Sequence, residues 1–252
     1  MSKPKKKFDT ANESPQNILQ LAKKKYTLHD LVNITPKNPR QTKFFELLYN
    51  DETKMILQSG FAGTGKSLTS LYGAFALVLD PATPYKRVLI FRSAVESRPI
   101  GFLKGTEEEK SDVYQKPYRQ LTDEIFKYND PYDNLKALGL LEFHLSSFER
   151  GCTYHDSIFI IEETQNMDMG EVRTLMTRAG KNCLIILTGD SDQNDLERKK
   201  EISCFQYVRD LMVQMPYGIG VEISYKLEDI MRSGLCKEIL IADSKLDKSK
   251  YK

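Results

Sequence analysis

Three short stretches carry residue types that together do phosphate chemistry. The first is "GFAGTGKSL", Gly60 to Leu68: a glycine, four residues, then Gly65, Lys66 and Ser67. Gly60, Gly63 and Gly65, with Phe61, Ala62 and Thr64 between them, let backbone N–H groups curl around an anion. A helix opening at Lys66 adds the positive end of its dipole. Lys66 would neutralise β- and γ-phosphate oxygens, and the Ser67 hydroxyl would ligate Mg2+. The spacing matches the phosphate loop of nucleotide triphosphatases in full, and the run "MILQS" before it supplies the strand such a loop requires. A glycine-rich turn that merely caps a helix is the bland reading, and it leaves Lys66 and Ser67 unexplained.

The second stretch, "SIFIIEETQN" (157–166), is an apolar run ending in two carboxylates. A triphosphatase needs an acid facing its loop to hold the metal, and often a neighbour to polarise the attacking water. Glu162 is expected on the metal side, although aspartate is the residue to expect there, and Glu163 is expected as the base. Paired glutamates also suit a helix N-terminus for electrostatic reasons alone. The third stretch, "CLIILTGDSDQND" (183–195), ends another apolar run and offers Gln193 as a γ-phosphate sensor. Its Asp and Asn residues are equally ordinary turn chemistry.

These residues need strands to end where they stand. Short β-rich runs occur at 55–59, 87–91, 141–146, 157–162, 183–188 and 221–225, with helical patterns at 66–79, 112–128, 169–179, 202–215 and about 229–242. Nearly continuous apolar strands alternating with helices predict an α/β fold, a mostly parallel sheet covered on both faces. No period of 20 to 50 residues recurs. Residues 1–35 read as a basic, flexible extension holding Lys3, Lys5, Lys6, Lys7, Lys23, Lys24 and Lys25, with one short helix around Ile18 to Lys25. Such a run is a solvated tail or a tether to a phosphate backbone. Residues 36–246 form the globular domain, and 247–252 a polar tail.

The 252 residues suffice for one sizeable core, and the net charge of +2 is too small to prove a polyanionic partner. No apolar run approaches the roughly 20 residues that cross a bilayer, and no secretory signal follows the charged N-terminus. Cys152, Cys183, Cys204 and Cys236 form no C-x-x-C pair. A cytoplasmic chain with reduced thiols and no structural zinc is expected.

Five motifs in order resemble the PhoH family, phosphate-starvation-inducible proteins built on a single RecA-like P-loop ATPase domain similar to the first domain of superfamily 1 helicases. They are "GFAGTGKS", "FRSAVESRPIGFLKGTEEEKSDVYQKPY" (91–118), "SFERGCTYHDSIFIIEETQN" (147–166), "LMTRAGKNCLIILTGDSDQND" (175–195) and "YKLEDIMRSGLCKEI" (225–239). The resemblance covers roughly residues 36 to 242 and implies ATP and Mg2+ as cofactors. It implies that Gln41, in "NPRQTKFF", reads the adenine edge, and that Gly60 to Leu68 cradle the triphosphate. Glu162 and Glu163 take the acidic pair, Gln193 the sensor, and Arg232 a phosphate-contacting arginine, in its own subunit or as a finger from a neighbour. Arg92 is a second basic candidate, for phosphate or nucleic acid. The chain departs from the family pattern at Arg40, where Asn is expected, at Phe61, where Pro is usual, and at Glu162, where Asp is usual.

A superfamily 1 motor closes its ATP site between two RecA-like domains, so a single domain borrows a neighbour or hydrolyses slowly. A homo-oligomeric, hexameric ring is the economical arrangement, in line with the family resemblance. The first reading is an ATPase coupled to translocation on or unwinding of single-stranded nucleic acid, RNA before DNA. Tyr114, Tyr118, Phe143, Phe148 and Tyr154 are candidates for base stacking, though aromatics are more often core. A nucleotide-dependent oligomeric switch or scaffold with little turnover is the second reading, and a small-molecule P-loop kinase the third.

Overall fold

A computed structural model describes residues 25–93, 107–128, 130–146, 151–190, 204–231 and 234–246. Six strands form one sheet: β1 (Met55–Gly60), β2 (Arg87–Arg92), β3 (Leu141–Leu145), β4 (Ser157–Glu162), β5 (Cys183–Thr188) and β6 (Gly220–Tyr225). Their order is β3-β2-β4-β5-β1-β6, and every pairing is parallel. All six residues of β1 and all six of β4 are buried, which is why these runs read as continuously apolar instead of alternating.

The period of two shows instead in which layer each residue serves. Ile56, Val88, Ile90, Ile158, Ile160, Leu184 and Ile186 join one core, together with Phe44, Leu71, Phe75 and Tyr118. Their strand neighbours Leu57, Leu89, Phe91, Phe159, Ile161, Ile185 and Leu187 join a second core with Val172, Leu175, Phe205 and Val208. Helices α1 (Pro39–Leu48), α2 (Lys66–Val78), α3 (Glu107–Ile125) and α4 (Pro131–Ala137) supply the first layer. The second comes from α5 (Met169–Met176) and α6 (Cys204–Gln214), and α7 (Leu235–Ser244) follows β6.

All six expected strands are present. Two helices are additional to the expected set: α1 and α4, both with Pro in the first turn. For α1 the signal was in the sequence, since the Asn38 side chain accepts from Gln41 N and Pro39 opens the helix. Helix α3 begins before the expected 112 and runs through Pro117. The last helix begins at Leu235 instead of about 229, because Leu227–Asp229 form a separate 3-10 turn. Packing also reaches back into the expected extension. Tyr26 and Leu31 are buried, and Leu31 bridges Phe126. Among the described residues no helix is long and apolar enough to cross a membrane.

Because every strand is parallel, all C-terminal strand ends lie at one edge. That edge therefore collects the loop after β1, the acids ending β4, Gly189 and Asp190 after β5, and the turn after β6, where open α/β sheets bind ligands.

Candidate active site

The loop after β1 is shaped by its glycines. Gly60, Gly63 and Gly65 have φ of 108°, 76° and 84°, in the left-handed half that costs other residues strain. A side chain at Gly60 would also place its Cβ 2.0 Å from the Tyr225 carbonyl oxygen on β6. Thr64 Oγ1 donates to Phe61 O at 3.0 Å, and α2 starts at Lys66. The Lys66 ammonium donates to the carbonyls of Gly60 and Phe61, each at 2.7 Å. Burial lowers the Lys66 pKa, opposed by the negative charges of Asp190, Glu162 and Glu163.

Ser67, on the first turn of α2, donates to Glu162 Oε2 at 2.8 Å. Glu162 is 4% exposed, and burial raises its pKa; the hydrogen bond from Ser67 opposes the rise, the charge of Glu163 adds to it, and Thr188 and Arg92 oppose it. The longer arm of glutamate thus reaches the loop hydroxyl. Ser67 spends its proton on Glu162, so its oxygen lone pairs remain for a cation. A hydroxyl and a carboxylate are hard oxygen donors of the kind Mg2+ takes alongside phosphates and water. The residues present therefore fit Mg2+, with Ser67 as ligand and Glu162 beside it. Among the described residues no group of three or more His, Cys, Asp or Glu could hold a metal by itself.

The next residue, Glu163, has φ 55° and ψ 42°, a left-handed conformation unusual for glutamate. Its carboxylate accepts from Gln165 Nε2 at 2.6 Å, and Gln165 Oε1 accepts from the Asp190 backbone N–H at 3.1 Å. Gln165 therefore ties the end of β4 to the end of β5. Asp190 in turn accepts from Ala62 N at 3.0 Å, inside the phosphate loop. Ala62 to Leu68, Glu162, Glu163, Thr188, Gly189 and Asp190 line a cavity of about 530 Å3, completed by Leu121, Glu124 and Met231. That volume is in the range of small-ligand sites. A larger, more apolar groove of about 620 Å3 lies between Tyr26, Leu79 and Leu138 and contains none of these residues.

A protein-family model described as PhoH-like protein matches residues 33–243. The chain belongs to the PhoH-like family. Among curated relatives, Protein PhoH2 of Bacillus subtilis (strain 168) is 34% identical over 166 residues, covering 64% of this chain and 37% of the relative. A PhoH-like protein of Mycobacterium leprae (strain TN) is 31% identical over 191 residues, covering 74% of this chain and 52% of the relative. This PhoH-like chain thus spans at most about half the length of these two relatives. Among solved structures, the HK97 bacteriophage large terminase aligns with a TM-score of 0.50 at 11% identity, over 93% of this chain and 52% of that one. The likeness shows a shared α/β fold.

For the remaining expected site residues of the PhoH-like chain, the placements differ. Gln41 is buried behind the loop and donates to Thr64 O at 3.0 Å instead of lining the cavity. Arg92 pairs in register with Glu162 across β2 and β4 and sets its guanidinium 5.6 Å from the centre of the Tyr114 ring. Gln193, Arg232 and Phe148 lie outside the described residues. Tyr118 and Tyr154 are buried core residues, with no face open to a base. Gln165, Asp190, Thr188, Leu121, Glu124 and Met231 were not singled out from the sequence. Gln165 and Asp190 did stand in the quoted motifs, but their coupling needs β4 and β5 to be neighbours.

Proposed function

We propose that this protein binds ATP with Mg2+ and hydrolyses it, coupling turnover to single-stranded nucleic acid, RNA before DNA. The observation that carries the reading is the 2.8 Å contact between Ser67 Oγ and Glu162, which joins the loop hydroxyl to the strand-end acid. In this reading the backbone N–H groups of residues 62–68 hold the phosphates, and Lys66 turns from the Gly60 and Phe61 carbonyls to the β- and γ-oxygens. Ser67 and Glu162 hold and orient the ion, which when bound supplies charge neutralisation on the phosphates. Glu163, steered by Gln165, accepts the proton of the attacking water. Gln193 senses the γ-phosphate. The chain works as a hexameric ring, in which Arg232 contacts phosphate in its own subunit or a neighbour's.

The Gln165 and Ala62 contacts favour a second reading. With Glu163 already hydrogen-bonded and Asp190 on a loop N–H, the site is self-satisfied, as suits a nucleotide switch or scaffold that turns over slowly. Hydrolysis measured with and without RNA and single-stranded DNA separates the two, with Lys66→Ala and Glu163→Gln as controls. Nucleic-acid stimulation abolished in both variants supports the motor. Tight ATP binding with negligible turnover in every condition supports the switch, and phosphate transfer to an added metabolite without release to water excludes both.

A further inference from the structure

Two carbonyls of the phosphate loop are held from outside the loop. Met231 N donates to Gly63 O at 2.9 Å, and Gln41 Nε2 donates to Thr64 O at 3.0 Å. Within a planar trans peptide the C=O and the following N–H point in opposite directions. Holding Gly63 O outward therefore aims the Thr64 N–H inward, and holding Thr64 O outward aims the Gly65 N–H inward. Those inward N–H groups are what makes an anion nest.

The two donors are themselves joined. Arg40, beside Gln41, pairs with the buried Asp229 at 2.9 Å and with Glu228 at 3.1 Å, and Asp229 lies two residues before Met231. Asn38 donates to Asp229 O at 3.5 Å while capping the helix that carries Gln41. The Gln41 carboxamide is committed at both ends, because Lys37 N donates to its Oε1 at 2.8 Å. A donor on one side and a carbonyl on the other fix which atom is oxygen and which nitrogen. Gln41 is 3% exposed, and its Nε2 stands 2.8 Å from where a Cβ on Gly65 would be. A side chain packed so closely against the outside of the loop has no edge to present to a base.

We propose that Gln41, with the Arg40–Asp229–Met231 brace, is a positioning residue of the phosphate loop that reads no base, so that the site accepts nucleoside triphosphates of all four bases. The proposal rests on the reading of the cavity as a triphosphate site. It also accounts for Arg40, whose charge is used to join the two halves of the brace.

The test is calorimetric titration of the full chain with Mg2+ and ATP, GTP, CTP, UTP or inorganic tripolyphosphate, for wild type and Gln41→Ala. Wild type is expected to bind the four nucleotides within about threefold of one another. Gln41→Ala is expected to weaken all four and tripolyphosphate by one common factor, about three- to tenfold, the value of one lost hydrogen bond. Wild-type preference for ATP above about tenfold, the size of a single good base contact, overturns the proposal whether or not the variant folds. So does a Gln41→Ala loss confined to ATP with tripolyphosphate unchanged. Failure of wild type to bind any of the five compounds would instead remove the triphosphate reading itself, and the proposal with it.

Discussion

Strand β4 is entered through Asp156 and left through Glu163, and the two residues have nearly the same positive φ, 52° and 55°. At the entry the left-handed conformation is ordinary turn chemistry. Asp tolerates it, and the Asp156 carboxylate accepts from Asn182 Nδ2 at 2.7 Å and from Lys86 at 3.1 Å at the surface. At the exit a glutamate, a residue that rarely adopts a left-handed φ, does so beside a buried acid and a buried lysine, with Gln165 two residues on as its hydrogen-bond donor. Strain of that kind persists where the surroundings over-determine it, and here Gln165 and the β5 end do so. The Asp156 carboxyl is held below its usual value by its hydrogen bonds, whereas burial pushes Glu162 above its usual value. One end of the strand is arranged for folding, the other for a charge that folding alone would not choose.

The largest effects are expected at the exit end. Lys66→Ala should lower ATP turnover by on the order of 10²- to 10³-fold with an unchanged fold, read by phosphate release and circular dichroism. Glu163→Gln should lower turnover by on the order of 10²-fold or more while nucleotide affinity, by calorimetry, stays within a few-fold. Glu163→Gly sharpens the contrast. It should abolish turnover yet raise unfolding free energy by about 1 kcal/mol, as left-handed strain is relieved. Asp156→Gly should instead lower stability slightly, since it removes two hydrogen bonds and little strain. Urea titration measures both.

The pH dependence should also split by end. Glu162 has a raised folded pKa, so the ligand-free folded state holds a proton that the unfolded state releases. Its contribution is full below the usual 4.5 and is lost as pH rises toward the folded value, so Glu162→Gln should flatten that decline in thermal scans. Asp156 has a lowered folded pKa, so its contribution is present above the usual 3.8 and lost as pH falls below it. Asp156→Asn should remove that smaller acid-side loss.

Much of this was legible in the chain. The four inner strands were readable because strands buried on both faces are runs rich in Ile, Leu, Val and Phe, and the loop was readable because Gly60, Gly63 and Gly65 stand at φ angles that strain other residues. Helix α1 could have been read from Asn38 and Pro39. Arg40 stood out only as a departure, since its partner Asp229 lies far along the sequence. Arg92 read as a basic candidate for phosphate or nucleic acid because nothing in "FRSAVES" says that Glu162 will stand beside it on the next strand.

The α/β alternation, the loop, the paired acids and the family are legible along the chain, because each is written in local spacing and residue type. It is packing between distant elements that lets Glu162 reach Ser67, Gln165 join Glu163 to Asp190, and Gln41 hold the loop from outside. The first two depend on strand order: β1 lies beside β5 and β6, and β4 beside β5, so Ser67 and Glu162, 95 positions apart, and Ala62 and Asp190, 128 apart, meet at one edge.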